Sequence, residues 1–196
     1  MGTQVKNIGS PLSPAAAVYK NMLYTAVRRP QNNEVNILRY DGIAWTEFGS
    51  VPGVRTPSQP ALGTFEDKLY LAVRGEDNYV YLAAYDGSRW FPAERAPGTG
   101  KTLAAPTLVQ FGSLFYLFYN SEMGYNTLWI AFNPNYKYGT YVVTEGQSNL
   151  RQVSAALYGG NTARYKELAS LNYIQPLAGT DTYPVKPGDV LLTPPA

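Results

Sequence analysis

The chain has 196 residues, a net charge of +2, 45% apolar residues and only 15% charged ones. Cysteine and histidine are both absent. That excludes disulfides, thiolate nucleophiles, Cys-ligated metals, the Ser-His-Asp arrangement and the usual general base. The charge is too small for a nucleic-acid footprint, and no stretch approaches the ~18 apolar residues of a membrane span.

Taken in chain order, the opening MGTQVKNIGSPLS is polar and unpatterned, without the apolar core of a secretory signal. It reads as an N-terminal arm over residues 1–13. A repeat follows: LYTAVR at 23–28, LYLAVR at 69–74 and FYLFYN at 115–120, each 46 residues from the last. Pro14, Pro60 and Pro106 fall in the same register. Tyr40-Asp41-Gly42 matches Tyr85-Asp86-Gly87, and Trp45 matches Trp90. The third copy is degenerate, with Phe132-Asn133-Pro134 in the place of the Tyr-Asp-Gly and Tyr138 in that of the Trp.

Within each copy the pattern is that of antiparallel strands. Leu69, Leu71 and Val73 share one face by the period of two, and Asp86-Gly87 supplies a turn whose Gly is free to take positive φ. Trp90 is expected to open a short fourth strand. Four short strands, a turn, a Trp and a period in the forties describe a propeller blade. Over residues 14–138 the pattern resembles the blades of sialidase-like and fucose-lectin-like β-propellers. Tyr40, Trp45, Tyr85 and Trp90 are read as inter-blade packing, with stacking on a sugar face as the alternative. Propellers close with 4–8 blades, so three imply completion, most simply by a second copy making six.

Residues 95–102, RAPGTGKT, resemble a phosphate-binding loop. The first Gly of that motif would fall at Arg95, and Pro106 interrupts the helix that should follow, so the segment reads as an inter-blade connection.

From Tyr141 the grammar changes. A strand at Tyr141-Val142-Val143-Thr144 leads to Leu150, Val153, Leu157 and Tyr158 at helical spacing, with Ser148 or Asn149 as N-cap. Gly159-Gly160 ends that helix, Asn161-Thr162 opens a second over 163–171, and 185–192 reads as a closing strand. The βααβ order, with YVVTEGQS, YGG, LASLN and VKPGDVLLTP, resembles a LysM domain over 140–196. The resemblance implies a groove between the first-turn loop and the loop after the second helix. Its residues here would be Gly146, Gln147 and Ser148 on one side and Tyr173, Ile174 and Gln175 on the other. The ending further resembles LysM-like modules of phage tail and baseplate proteins.

The expected fold class is mainly β with a small α+β C-terminal domain, a three-bladed partial propeller followed by a βααβ LysM-like domain. The expected function is a structural component of a phage tail or baseplate, located in the virion, with the LysM-like part as a protein dock. Its partners would be a second copy and other tail proteins, with no nucleic acid or membrane. The alternative is a carbohydrate-binding protein directed at peptidoglycan or a cell-surface glycan. No cofactor or metal is expected. No catalysis is expected either, because Asp41, Asp86, Glu66, Asp67, Glu76 and Asp77 all sit in turn-like positions.

Overall fold

The computed structural model describes Val5 and residues 8–112, 114–122, 127–134, 139–172 and 174–193. It is mainly β, in several small antiparallel sheets. The chain divides into two compact units, Met1–Trp129 and Ile130–Ala196.

In the first unit, β1 (Ala15–Tyr19), β2 (Met22–Arg28), β3 (Glu34–Tyr40) and β4 (Trp45–Arg55) form a sheet in chain order. A second sheet repeats that order with β5 (Ala61–Phe65), β6 (Lys68–Arg74), β7 (Val80–Tyr85) and β8 (Glu94–Arg95). β9 (Thr107–Phe111) pairs antiparallel with β10 (Leu114–Asn120), and β11 (Thr127–Phe132) takes the other edge of β10. The short fourth strand expected to open at Trp90 is present, interrupted at Pro92. Trp90 makes one bridge to Tyr85, and Pro92, which has no amide to donate, precedes a two-residue β8. In the first sheet the same place carries eleven residues. Tyr138, expected to replace the Trp in the third copy, lies outside the described residues.

The alternation of apolar residues decides how the sheets stack. Tyr19, Tyr24, Ala26, Val35 and Ile37 of the first sheet share one core with Leu62, Leu69, Leu71, Val73 and Tyr85 of the second. Leu69, Leu71 and Val73 thus share the face assigned to them from sequence. The second sheet's other face meets the third: the rings of Phe65 and Tyr70 lie 5.6 and 5.2 Å from Phe115. Gly63 sits in that seam, where an added Cβ would come within 3.0 Å of Leu108 and Phe115. The first strands β1, β5 and β9 run side by side.

The second unit contains β12 (Gly139–Val142), α1 (Leu150–Leu157), α2 (Tyr165–Asn172) and β13 (Val190–Thr193), with β12 antiparallel to β13. Asn149 is the N-cap of α1, its side chain accepting from the amides of Arg151 and Gln152. Leu150 and Val153 of α1 and Leu168 of α2 are fully buried in one core with Val143, Val185 and Leu191. The closing strand starts at Val190 instead of Val185. Residues 186–189 are a turn in which the Lys186 amide donates to the Asp189 carboxylate at 2.8 Å, and Gly188 takes φ 91°.

Candidate functional sites

The repeated Tyr-Asp-Gly turns are built identically twice. The Tyr40 hydroxyl donates to the Gly42 carbonyl at 2.8 Å, and Tyr85 does the same to Gly87 at 2.8 Å. Asp41 accepts from the amides of Ile43 and Ala44; Asp86 accepts from the amides of Ser88 and Arg89 and from the Ser88 hydroxyl. These donors hold both carboxyls below the usual carboxylate range. The Ala44 amide matters most for Asp41; the Arg89 amide, together with the Ser88 hydroxyl and amide, brings Asp86 down to about 2. The Trp after each turn lies over the Tyr, with ring centroids 5.1 Å apart for Tyr40–Trp45 and 5.3 Å for Tyr85–Trp90. Tyr85 is buried between the first two sheets, among Tyr19, Tyr24 and Phe48, and Trp90 packs on that core. Tyr40 and Trp45 stay half-buried, at positions whose second-sheet counterparts face the first sheet.

The Gly-rich 95–102 segment closes on itself. Arg95 donates to the Thr99 carbonyl at 3.3 Å and its guanidinium lies over the Tyr79 ring, while the Gly100 amide donates to the Tyr119 hydroxyl. The buried Thr102 ties into Asn78 through its amide at 2.8 Å, as Thr56 does to Asn33 at 2.9 Å in the preceding connection. Residues 103–106 are not helical.

In the second unit, the first-turn loop is internally bonded. Gln147 donates through Nε2 to the Tyr141 hydroxyl at 2.8 Å and accepts from the Thr144 amide at 2.9 Å. The Ser148 amide and hydroxyl both donate to Gln152, and Gly146 supplies the positive φ of 85° that the turn needs. Of the opposite loop, Ile174 packs on the core and Gln175 is exposed; Tyr173 lies outside the described residues. The longer loop before Pro184 is fastened by Asp181. Its carboxylate accepts from the Tyr165 hydroxyl and from Arg151, and pairs with Lys166 at 3.8 Å. The Tyr165 hydrogen bond, then Lys166 and Arg151, lower the Asp181 pKa.

Among the described residues of the first unit, two cavities stand out, and neither is lined by residues of the second. One, of about 320 Å³, opens where β1, β5 and β9 begin, and the three prolines in register, Pro14, Pro60 and Pro106, line it together. The other, of about 370 Å³, is polar, lined by Ile8, Gly9, Arg29, Pro30, Asn36 and Glu47 among others. Sequence reasoning missed Arg29, Asn36 and Glu47. The available signal was Asn36, an amide in an otherwise apolar stretch of β3 where the second repeat carries Tyr81.

No known protein family matches the sequence, and no curated protein does. Among solved structures the chain is similar to a family 117 glycoside hydrolase produced by the marine bacterium Zobellia galactanivorans. That match has 16% identity and a TM-score of 0.47, over 62% of this chain and 43% of that one. A second is an α-L-arabinofuranosidase from Clostridium thermocellum, at 10% identity and a TM-score of 0.31, over 93% of each chain. The chain therefore spans less than half of the first neighbour's length. Both neighbours are glycoside hydrolases, so the expectation of no catalysis finds no support in them.

Proposed function

We propose that the chain is an assembly component of the phage tail or baseplate kind, a partial propeller with a LysM-like dock. The observation that carries the reading is the outward face of the third sheet. Gly63, Phe65, Tyr70 and Ala72 are the positions through which the second sheet packs on the third; Ala17, Tyr19, Tyr24 and Ala26 serve the first in the same way. Forty-six residues on stand Val109, Phe111, Tyr116 and Phe118. Val109 is 46% exposed and Phe111 75%. Val109 and Phe111, apolar side chains in stacking register and left to water, are the mark of a surface that meets another sheet.

A second copy of this chain is the partner that already carries sheets of this pattern. In the LysM-like part, the internal bonding of Gln147 and Ser148 favours docking of a protein over capture of an N-acetylated glycan. Sedimentation velocity on the full chain tests the reading. The expected result is a concentration-dependent species of twice the monomer mass that also retains tail or baseplate proteins. A monomer at all concentrations that retains none of them, while binding purified peptidoglycan saturably, would replace it with the carbohydrate reading.

A further inference from the structure

The polar cavity beside Asn36 belongs to no repeated feature of the fold. At the equivalent place in the second sheet, Tyr81 donates its hydroxyl to Asp77 at 2.8 Å. In the first sheet Asn36 is fully buried between Val35 and Ile37, which face the second sheet, so Asn36 points to the opposite side. Its Nδ2 donates to Glu47 Oε1 at 2.9 Å, and the Arg29 guanidinium donates to the same oxygen. Asn36 Oδ1 is buried and has no donor among the described residues. A buried acceptor left in this state costs stability unless something supplies the missing hydrogen.

The backbone around it is shaped as well. The β3–β4 register shifts on both sides of this residue, between Glu34 and Asn36 and between Ile37 and Leu38. Gly49, opposite Ile37, takes φ 105°. Bulges of this kind re-aim side chains beside binding sites. Together they hold an amide, a carboxylate and a guanidinium around a cavity of about 370 Å³, with Pro30 and Ile8 as its apolar wall.

We infer that this cavity binds a neutral polyhydroxy compound, a saccharide unit. The site is charge-balanced, one Arg against one Glu. A phosphate would meet the Glu47 carboxylate, and a metal cation would meet Arg29. A hydroxyl suits both, since it donates to Asn36 Oδ1 or Glu47 while accepting from Arg29. The volume has room for on the order of ten waters, so a single bridging water does not account for it. The inference goes beyond the assembly reading, which assigns no ligand to these residues of the first sheet.

The test is calorimetric titration of the full chain with a panel of neutral mono- and disaccharides, with inorganic phosphate and Ca²⁺ as the competing probes. Saturable binding of at least one saccharide is expected. Glu47→Gln and Arg29→Ala should each weaken it roughly tenfold, the loss of one hydrogen bond to a charged group. Asn36→Ala should abolish binding, and the two surface variants keep the test decisive should Asn36→Ala fail to fold. No saccharide bound at about 10 mM, tighter binding of phosphate or Ca²⁺, or affinity indifferent to Glu47 and Arg29 would each overturn the inference.

Discussion

At Asp86 three donors converge on one exposed carboxylate oxygen: the amides of Ser88 and Arg89 and the Ser88 hydroxyl. The ionised form is favoured in the folded state, where the pKa drops from 3.8 to about 2. A depressed carboxylate contributes stability that is fully present above its unfolded value and is lost as the pH falls through the folded one. Between about pH 4 and about pH 2, Asp86 therefore steepens acid unfolding of the first unit. Asp86→Ala should lower the melting temperature at neutral pH and flatten its fall over that window, as read by circular dichroism at a series of pH values. A variant whose acid limb parallels the parent's would refute the assignment. The sequence disclosed the turn, because Asp-Gly is a local turn chemistry whose bonds span no more than three residues, but not which donors would meet the carboxylate.

At the scale of elements, Asn172 joins α2 to β13. Its Oδ1 accepts from the Leu192 amide at 2.7 Å and its Nδ2 donates to the Leu192 carbonyl at 2.8 Å and the Leu168 carbonyl at 2.9 Å. The closing strand is four residues long and has β12 as its one strand partner among the described residues, so this amide fixes its other edge. Asn172→Ala leaves Leu192 without either partner and should destabilise the second unit by about 1–3 kcal/mol. Urea unfolding followed by tyrosine fluorescence would measure it, and hydrogen exchange at Leu192 should accelerate. The helices themselves were legible from spacing, since apolar residues at i, i+3 and i+7 need one buried face. The Asn172 clamp was not. It links residues twenty apart, and nothing in LASLN says which backbone the amide will meet. The short fourth strand of the second sheet was legible too, because a Trp in register marked where it pairs with Tyr85.

At the scale of the molecule, the third sheet carries Val109 and Phe111 on an exposed apolar face. Phe111 is the most exposed member of that face, and its counterpart Phe65 is fully buried. Phe111→Lys should therefore shift the sedimentation equilibrium toward monomer while leaving the melting temperature of dilute protein nearly unchanged, since surface substitutions away from packed contacts stay within about 0.5 kcal/mol. A drop in stability without a change in mass would mean that the ring is already packed within one chain.

The sequence by itself determined the repeat, the face each strand residue takes, the turns and the helical periods, because each follows from bonds or spacings within a few positions. Only the tertiary structure decided which faces are covered, that three distant prolines share one cavity, and that Arg29, Asn36 and Glu47 meet. Those outcomes depend on how strands far apart in the chain stack and where a bulge turns one side chain, and a linear pattern does not encode that geometry.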